Sequence, residues 1–166
     1  MSSSIRIWFE NLSASRHDGL HDLNSLVEED HIHGGLRIEI GGRLVPCLRY
    51  FGADDVCLDV WVGELDAVAK ALESTNGKHS FDEGEQGQPA FVFEREGDLA
   101  HFSIADSMIS DGVGLPDWQR VPFQPDEFIT AHEGFRRALW RDIEAKCGAE
   151  GRAWAIRVGL ISKTDM

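Results

Sequence analysis

The stretch Leu36-Arg37-Ile38-Glu39-Ile40-Gly41-Gly42-Arg43-Leu44-Val45-Pro46-Cys47 constrains the fold more than any other part of the chain. Apolar and polar residues alternate on both sides of a glycine pair. That is the pattern of two strands, each buried on one face. Paired glycines adopt the positive φ that a two-residue hairpin turn demands. A turn at Gly41-Gly42 pairs Ile40 with Arg43, Ile38 with Val45 and Leu36 with Cys47, so the apolar members share a face. Pro46 then lies opposite Arg37, and its missing N–H faces away from the hairpin. On that side the strand is expected to be an edge, or to be interrupted at Pro46.

The remaining elements follow from periodicity. Ile5, Ile7 and Phe9 alternate with Arg6, Trp8 and Glu10, which predicts a first strand. Residues 13–34 are polar, and Leu20, Leu23, Leu26 and Val27 suggest a loop with one or two helical turns. Val56 and Leu58 read as a short strand entering a helix over 60–75. Trp61, Leu65, Val68 and Leu72 form one face of that helix, with Asp59 placed to cap it and Gly77 to follow it. Residues 78–89 read as an exposed acidic loop. Ala90–Glu94 and Leu99–Ile104 form a second hairpin, in which Phe91 and Phe93 face the same side as Phe102 and Ile104. Residues 106–117 read as a loop, followed by a short strand over Trp118, Val121 and Phe123. A long helix then starts at Pro125, buries Phe128, Phe135, Leu139 and Ile143, and stops at Gly148. Trp154, Ile156, Val158 and Leu160 alternate like a terminal strand. The expected fold is α+β: a mostly antiparallel sheet built from hairpins, with two helices packed on one face.

With 166 residues, one domain over 1–166 is expected. Twenty-nine acidic against 16 basic side chains give a net charge of −13, which disfavours nucleic acid and anionic lipid as partners. The charge is uneven. Residues 1–131 hold 24 acidic and nine basic groups, whereas residues 132–163 hold four and seven. Three cysteines cannot close fully into intramolecular disulfides, and no apolar run reaches a membrane span. Together with an N-terminal segment free of a signal-like pattern, this gives a cytoplasmic reading.

No catalytic constellation stands out. Ser107 and Ser110 lack the frame of a nucleophile elbow, and the glycine pairs at 34–35 and 41–42 lack the lysine of a phosphate loop. No cofactor is indicated. The carboxylates Asp54, Asp55, Asp82, Glu83 and Glu85 read as an acidic surface. Trp8, Trp118 and Trp140 fall off the apolar stripes, and Trp118 joins the acidic groups as a contact candidate. His17, His21, His31 and His33 form the one group with metal-ligand spacing.

Three segments carry a resemblance: Val56-x-Leu58-x-x-Trp61-Val62-x-Glu64-Leu65, Phe91-Val92-Phe93-Glu94-Arg95-Glu96-Gly97-Asp98-Leu99 and Val121-Pro122-Phe123-x-x-Asp126-Glu127-Phe128. Over residues 35–147 they resemble a diffuse group of small, acidic, uncharacterised bacterial α+β proteins. Some proteins of this type lie beside toxin genes and look like immunity proteins. The resemblance implies architecture and brings no catalytic residues with it. The first functional expectation is therefore a non-enzymatic binding protein whose acidic surface meets a basic partner such as a toxin. The alternative is a metal-binding protein or metal-dependent hydrolase using the four histidines. A homo-oligomer formed through an edge strand is the third reading, and Pro46 argues against it.

Overall fold

The computed structural model describes residues 5–48, 52–84 and 87–165. Nine strands and two helices occur among them: β1 (Ile5–Arg16), β2 (Gly19–Asp22), β3 (His31–Ile40), β4 (Arg43–Leu44), β5 (Val56–Cys57), α1 (Leu58–Leu72), β6 (Lys78–Phe81), β7 (Ala90–Glu96), β8 (Leu99–Ala105), β9 (Val121–Phe123) and α2 (Pro125–Arg157). All strand pairs are antiparallel, so the expected α+β class holds. The strands divide between two sheets. The first has the order β2-β1-β3-β4, with β5 also on β3, and the second runs β6-β7-β8-β9.

The glycine hairpin forms as expected at its tip. Ile40 pairs with Arg43, and the Val45 amide donates to the Ile38 carbonyl at 2.8 Å. Gly41 and Gly42 take φ values of 59° and 77°. The expected Leu36–Cys47 pair does not form. Pairing ends before Pro46, Cys47 turns to φ 69°, and β5 takes the β3 edge opposite His33 and Gly34 instead. β4 is an edge strand, as the proline requires.

The polar segment 13–34 is mostly sheet, which corrects the loop expectation. β1 continues to Arg16, β2 turns back on it, and β3 begins at His31. The reason lies at Asn11-Leu12. Glu10 opposes Gly35 and Ser13 opposes His33, so β1 spends one extra residue there. This bulge, with Asn11 at φ 50°, shifts the inward phase. Ile5, Ile7 and Phe9 face inward before it, and Ala14 after it.

Both helices lie against the inward face of the first sheet, α1 on β3 and α2 on β1. α1 also packs on β6 and β7 of the second sheet. Its face Trp61, Leu65, Val68 and Leu72 is buried as predicted. The second hairpin places Phe91 opposite Ile104 and Phe93 opposite Phe102, all buried. Trp61 meets Phe81 with ring centroids 4.8 Å apart, and Phe128 of α2 meets Phe93 at 5.5 Å. One apolar cluster therefore joins both sheets and both helices.

Three further expectations are corrected. Residues 78–81 form strand β6, an edge strand whose outward positions are polar. Residue 57, not Asp59, occupies the N-cap of α1, and Gly77 does not follow the helix end, which is capped at Glu73. The terminal strand does not form either. The chain is non-helical at Gly148 (φ 53°, ψ −128°) and then resumes as helix to Arg157. Trp154 and Ala155 of that last stretch are buried. Among the described residues no helix is long and apolar enough to cross a membrane.

Candidate functional site

The four histidines do not form one cluster. Paired residues of neighbouring strands point to the same face. Ala14 pairs with both His21 and Ile32, and Ala14 and Ile32 are fully buried. His21 thus belongs to the inward face at the β2 edge, where it bonds Asp18 at 2.7 Å. His31 and His33 pair with Ser15 and Ser13 and belong to the outward face. His17 lies exposed in the turn between β1 and β2. His17 and His21, four residues apart, would share a face on a helix, but this segment is a hairpin.

At the edge of β3 the first turn of α1 reaches the sheet. β5 is too short to cover β3 beyond His33, and the Asp59 carboxylate takes over. Its Oδ1 accepts from the Ile32 amide at 2.9 Å and from the Trp154 indole Nε1 at 2.8 Å. Its Oδ2 accepts from His31 Nδ1 at 2.9 Å and from Arg157 Nη2 at 3.2 Å. Cys57 lies opposite His33 in the ladder and beside this carboxylate. Neither histidine spacing nor a Cys-x-x-Cys pattern points to Cys57 in the sequence.

The predicted acidic surface is partly built into the fold. Asp54 accepts from the Asn11 side chain at 3.2 Å, so it anchors the bulge. Asp55 accepts from His33 Nδ1 at 2.7 Å. Asp82 accepts from Ser107 Oγ and from the Met108 amide, both at 2.7 Å. Glu83 lies close enough to Cys57 for its charge to act on the thiol. Glu85 lies outside the described residues. Trp118 corrects the expectation of an exposed contact residue. It is 6% exposed, packed edge-on against Phe102 and covered by the Arg43 guanidinium 4.2 Å from its ring. The short 3₁₀ turn at Pro116–Trp118 folds the indole inward.

Asp82 organises a surface that the sequence did not single out. The loop 106–114 is closed by the Ser107 amide on the Gly112 carbonyl at 2.8 Å. Ser107 Oγ accepts from the Ser110 amide at 3.0 Å, and Asp106 accepts from the Gly114 amide at 2.7 Å. Gly112 lies so close to the Gln88 backbone that a Cβ there would clash. From this hydrogen-bonded frame Met108, Ile109 and Val113 project into solvent, 90%, 68% and 71% exposed. A depression of roughly 590 Å³ lies at the loop's base, lined by Ala105, Asp106, Val113, Gly114, Pro116 and Gln119. The signal available beforehand was Met108-Ile109 in an otherwise polar loop, which periodicity ignores.

A third arrangement joins the helices. Asp66 of α1 accepts from His132 Nε2 at 2.7 Å and from Arg136 Nη1 at 2.6 Å. Burial pushes the Asp66 carboxyl up, but the hydrogen bonds from His132 and Arg136 outweigh it and hold the group below its usual range. Arg136 continues to the Gly159 and Leu160 carbonyls at 2.8 and 2.6 Å. This group ties the C-terminal turn to both helices.

Burial pushes Cys47, Cys57 and Cys147 above the usual thiol range, and the Asp59 and Glu83 charges add to the effect at Cys57. Ser107 bonds a carboxylate and backbone amides, without a histidine base. No protein-family model, curated protein or solved structure matches this chain.

Proposed function

We propose that this protein is a non-enzymatic, immunity-like binding module that captures a basic protein partner through the loop 106–114. The observation that carries this reading is the exposure of Met108, Ile109 and Val113 on a backbone already fixed by hydrogen bonds. Apolar side chains held out in water gain free energy when a partner covers them. A loop ordered in advance avoids the entropy cost of ordering it on binding.

Charge sets the kind of partner. Asp82, Glu83, Asp106, Asp111 and Asp117 belong to the loops that surround the apolar residues. The stretches 82–94 and 96–119 contain no Lys or Arg at all. An apolar pocket rimmed with basic groups is the complement of such a surface, and opposite charge speeds the encounter. Nuclease-type toxins, with cationic clefts for phosphate backbones, have this chemistry. In this reading Asp82 acts twice, as a negative group and as the anchor of the loop.

The test uses the untagged chain as bait against products of neighbouring genes. The variant Met108→Ser/Ile109→Ser/Val113→Ser is expected to weaken capture of the wild-type partner at least ~10-fold, since a few buried apolar anchors dominate interface energy. The wild-type association rate is expected to fall as salt rises. A partner bound equally well by the triple variant would overturn the loop reading. A salt-independent rate would overturn the charge argument.

A further inference from the structure

The outward edge of the first sheet gathers a second set of groups, independent of the loop. A nitrogen of His31, the sulfur of Cys57 and an oxygen of Asp59 all lie within 4.8 Å of one another. They come from three different places: the start of β3, the end of β5 and the first turn of α1. We propose that His31, Cys57 and Asp59 form a binding site for a borderline divalent cation of the Zn2+ type, with a fourth position left to water.

The donor chemistry selects the ion. One imidazole, one thiolate and one carboxylate suit Zn2+ and Co2+, whereas Mg2+ and Ca2+ require oxygen cages. Thiolate and carboxylate together carry the two negative charges that neutralise such an ion. The thiol proton leaves to solvent when the metal–sulfur bond forms.

The geometry needs little change. Donors around a tetrahedral Zn2+ stand about 3.3–3.8 Å apart, given bonds of about 2.0–2.3 Å. The His31 side chain is 61% exposed, so the cation has an open approach once the Nδ1 hydrogen bond to Asp59 gives way. Asp59 is already held in place. Its Oδ1 is occupied by the Ile32 amide and the Trp154 indole, so the ion would take Oδ2 in place of the His31 and Arg157 hydrogen bonds. Arg157 does not depend on that oxygen, since its Nη2 also donates to the Asp30 carbonyl at 2.6 Å and its Nη1 to the Glu28 carbonyl. His33 stands opposite Cys57 in register but is turned to Asp55, so it is not a ligand.

The site and the docking loop can fail separately, because they share no residue. The test is Co2+ titration of the untagged, reduced, full-length chain. Expected is one Co2+ per chain, with the intense near-ultraviolet absorption of a thiolate bound to cobalt. Cys57→Ser is expected to abolish that absorption, and His31→Gln to weaken Co2+ binding at least ~10-fold, while His33→Gln changes it less than ~2-fold. A parallel measurement needs no variant. Zn2+ is expected to slow iodoacetamide alkylation of Cys57 about 10-fold, with Cys47 and Cys147 unaffected. Absence of the cobalt–thiolate absorption, its survival in Cys57→Ser, or equal alkylation of Cys57 with and without Zn2+ would each overturn the proposal.

Discussion

The Trp154 indole donates to the Asp59 carboxylate at 2.8 Å, across 95 residues of sequence. With the Arg157–Asp59 contact, this bond fastens the last helical stretch to the first turn of α1. The same Asp59 oxygen accepts from the Ile32 amide, so the contact also closes the edge of the first sheet. Trp154 is 2% exposed, so its indole N–H is shielded from solvent and depends on the carboxylate.

Asp59→Ala is therefore expected to leave two buried donors without an acceptor and to cost about 3 kcal/mol. Asp59→Asn keeps an acceptor oxygen and is expected to cost less than half of that. Urea unfolding followed by tryptophan fluorescence reads both. Equal losses in the two variants would show that charge, not acceptance, is what matters at this position.

Gly148 and Gly63 make a matched pair. A Cβ added at either meets nothing within 4 Å, so only backbone conformation distinguishes them. Gly148 sits at φ 53°, ψ −128° in the break of α2, and Gly148→Ala is expected to cost about 1–3 kcal/mol. Gly63 is exposed inside α1, and Gly63→Ala is expected to add about 0.5–1 kcal/mol of stability. Thermal midpoints moving in opposite directions would bear this out.

Acid is expected to weaken the fold through two carboxylates. The hydrogen bond from Arg16 holds Asp30 below its ordinary value of 3.8, against the opposing effect of burial. Asp66 is likewise lowered, by His132 and Arg136 against burial. A depressed folded pKa gives stability that is complete above the unfolded value and is lost as pH falls through the folded one. The denaturation midpoint should therefore fall as pH drops below 3.8, and fall less steeply in Asp66→Asn. Parallel curves for the two proteins would remove Asp66 from this account.

Asp82→Ala removes the acceptor for the Ser107 hydroxyl and the Met108 amide. Loss of that anchor is expected to raise hydrogen exchange at Met108, Ile109, Ser110 and Gly112 by about 10-fold, because local opening is set by local contacts. Exchange in β7 and β8 should not change. Unaltered protection in the loop would mean that the Ser107–Gly112 closure holds it without Asp82.

What the chain's own pattern determined is what lies close in sequence. The glycine turn, the Phe91–Phe93 hairpin, the apolar faces of both helices and the break at Gly148 are local events, set by backbone preference and the period of burial. The bulge at Asn11-Leu12 was hidden because one extra residue reverses the inward phase, so the strand beyond it no longer matches Ile5, Ile7 and Phe9. β6 was hidden because four residues are too few for alternation to stand out, and its inward positions, His79 and Phe81, are only half-buried. At 154–160 a period-two pattern lost to helix as far as Arg157 and to a turn beyond it, since packing of Trp154 and Ala155 on the rest of the core outweighs the alternation. The sites are tertiary for the same reason. His31, Cys57 and Asp59 are brought together by a strand crossing, and His21 is kept away from His31 by the pleat. Asp82 reaches Met108 across 26 residues. Residue types could name the candidates, but only the folded chain decided which of them share a face.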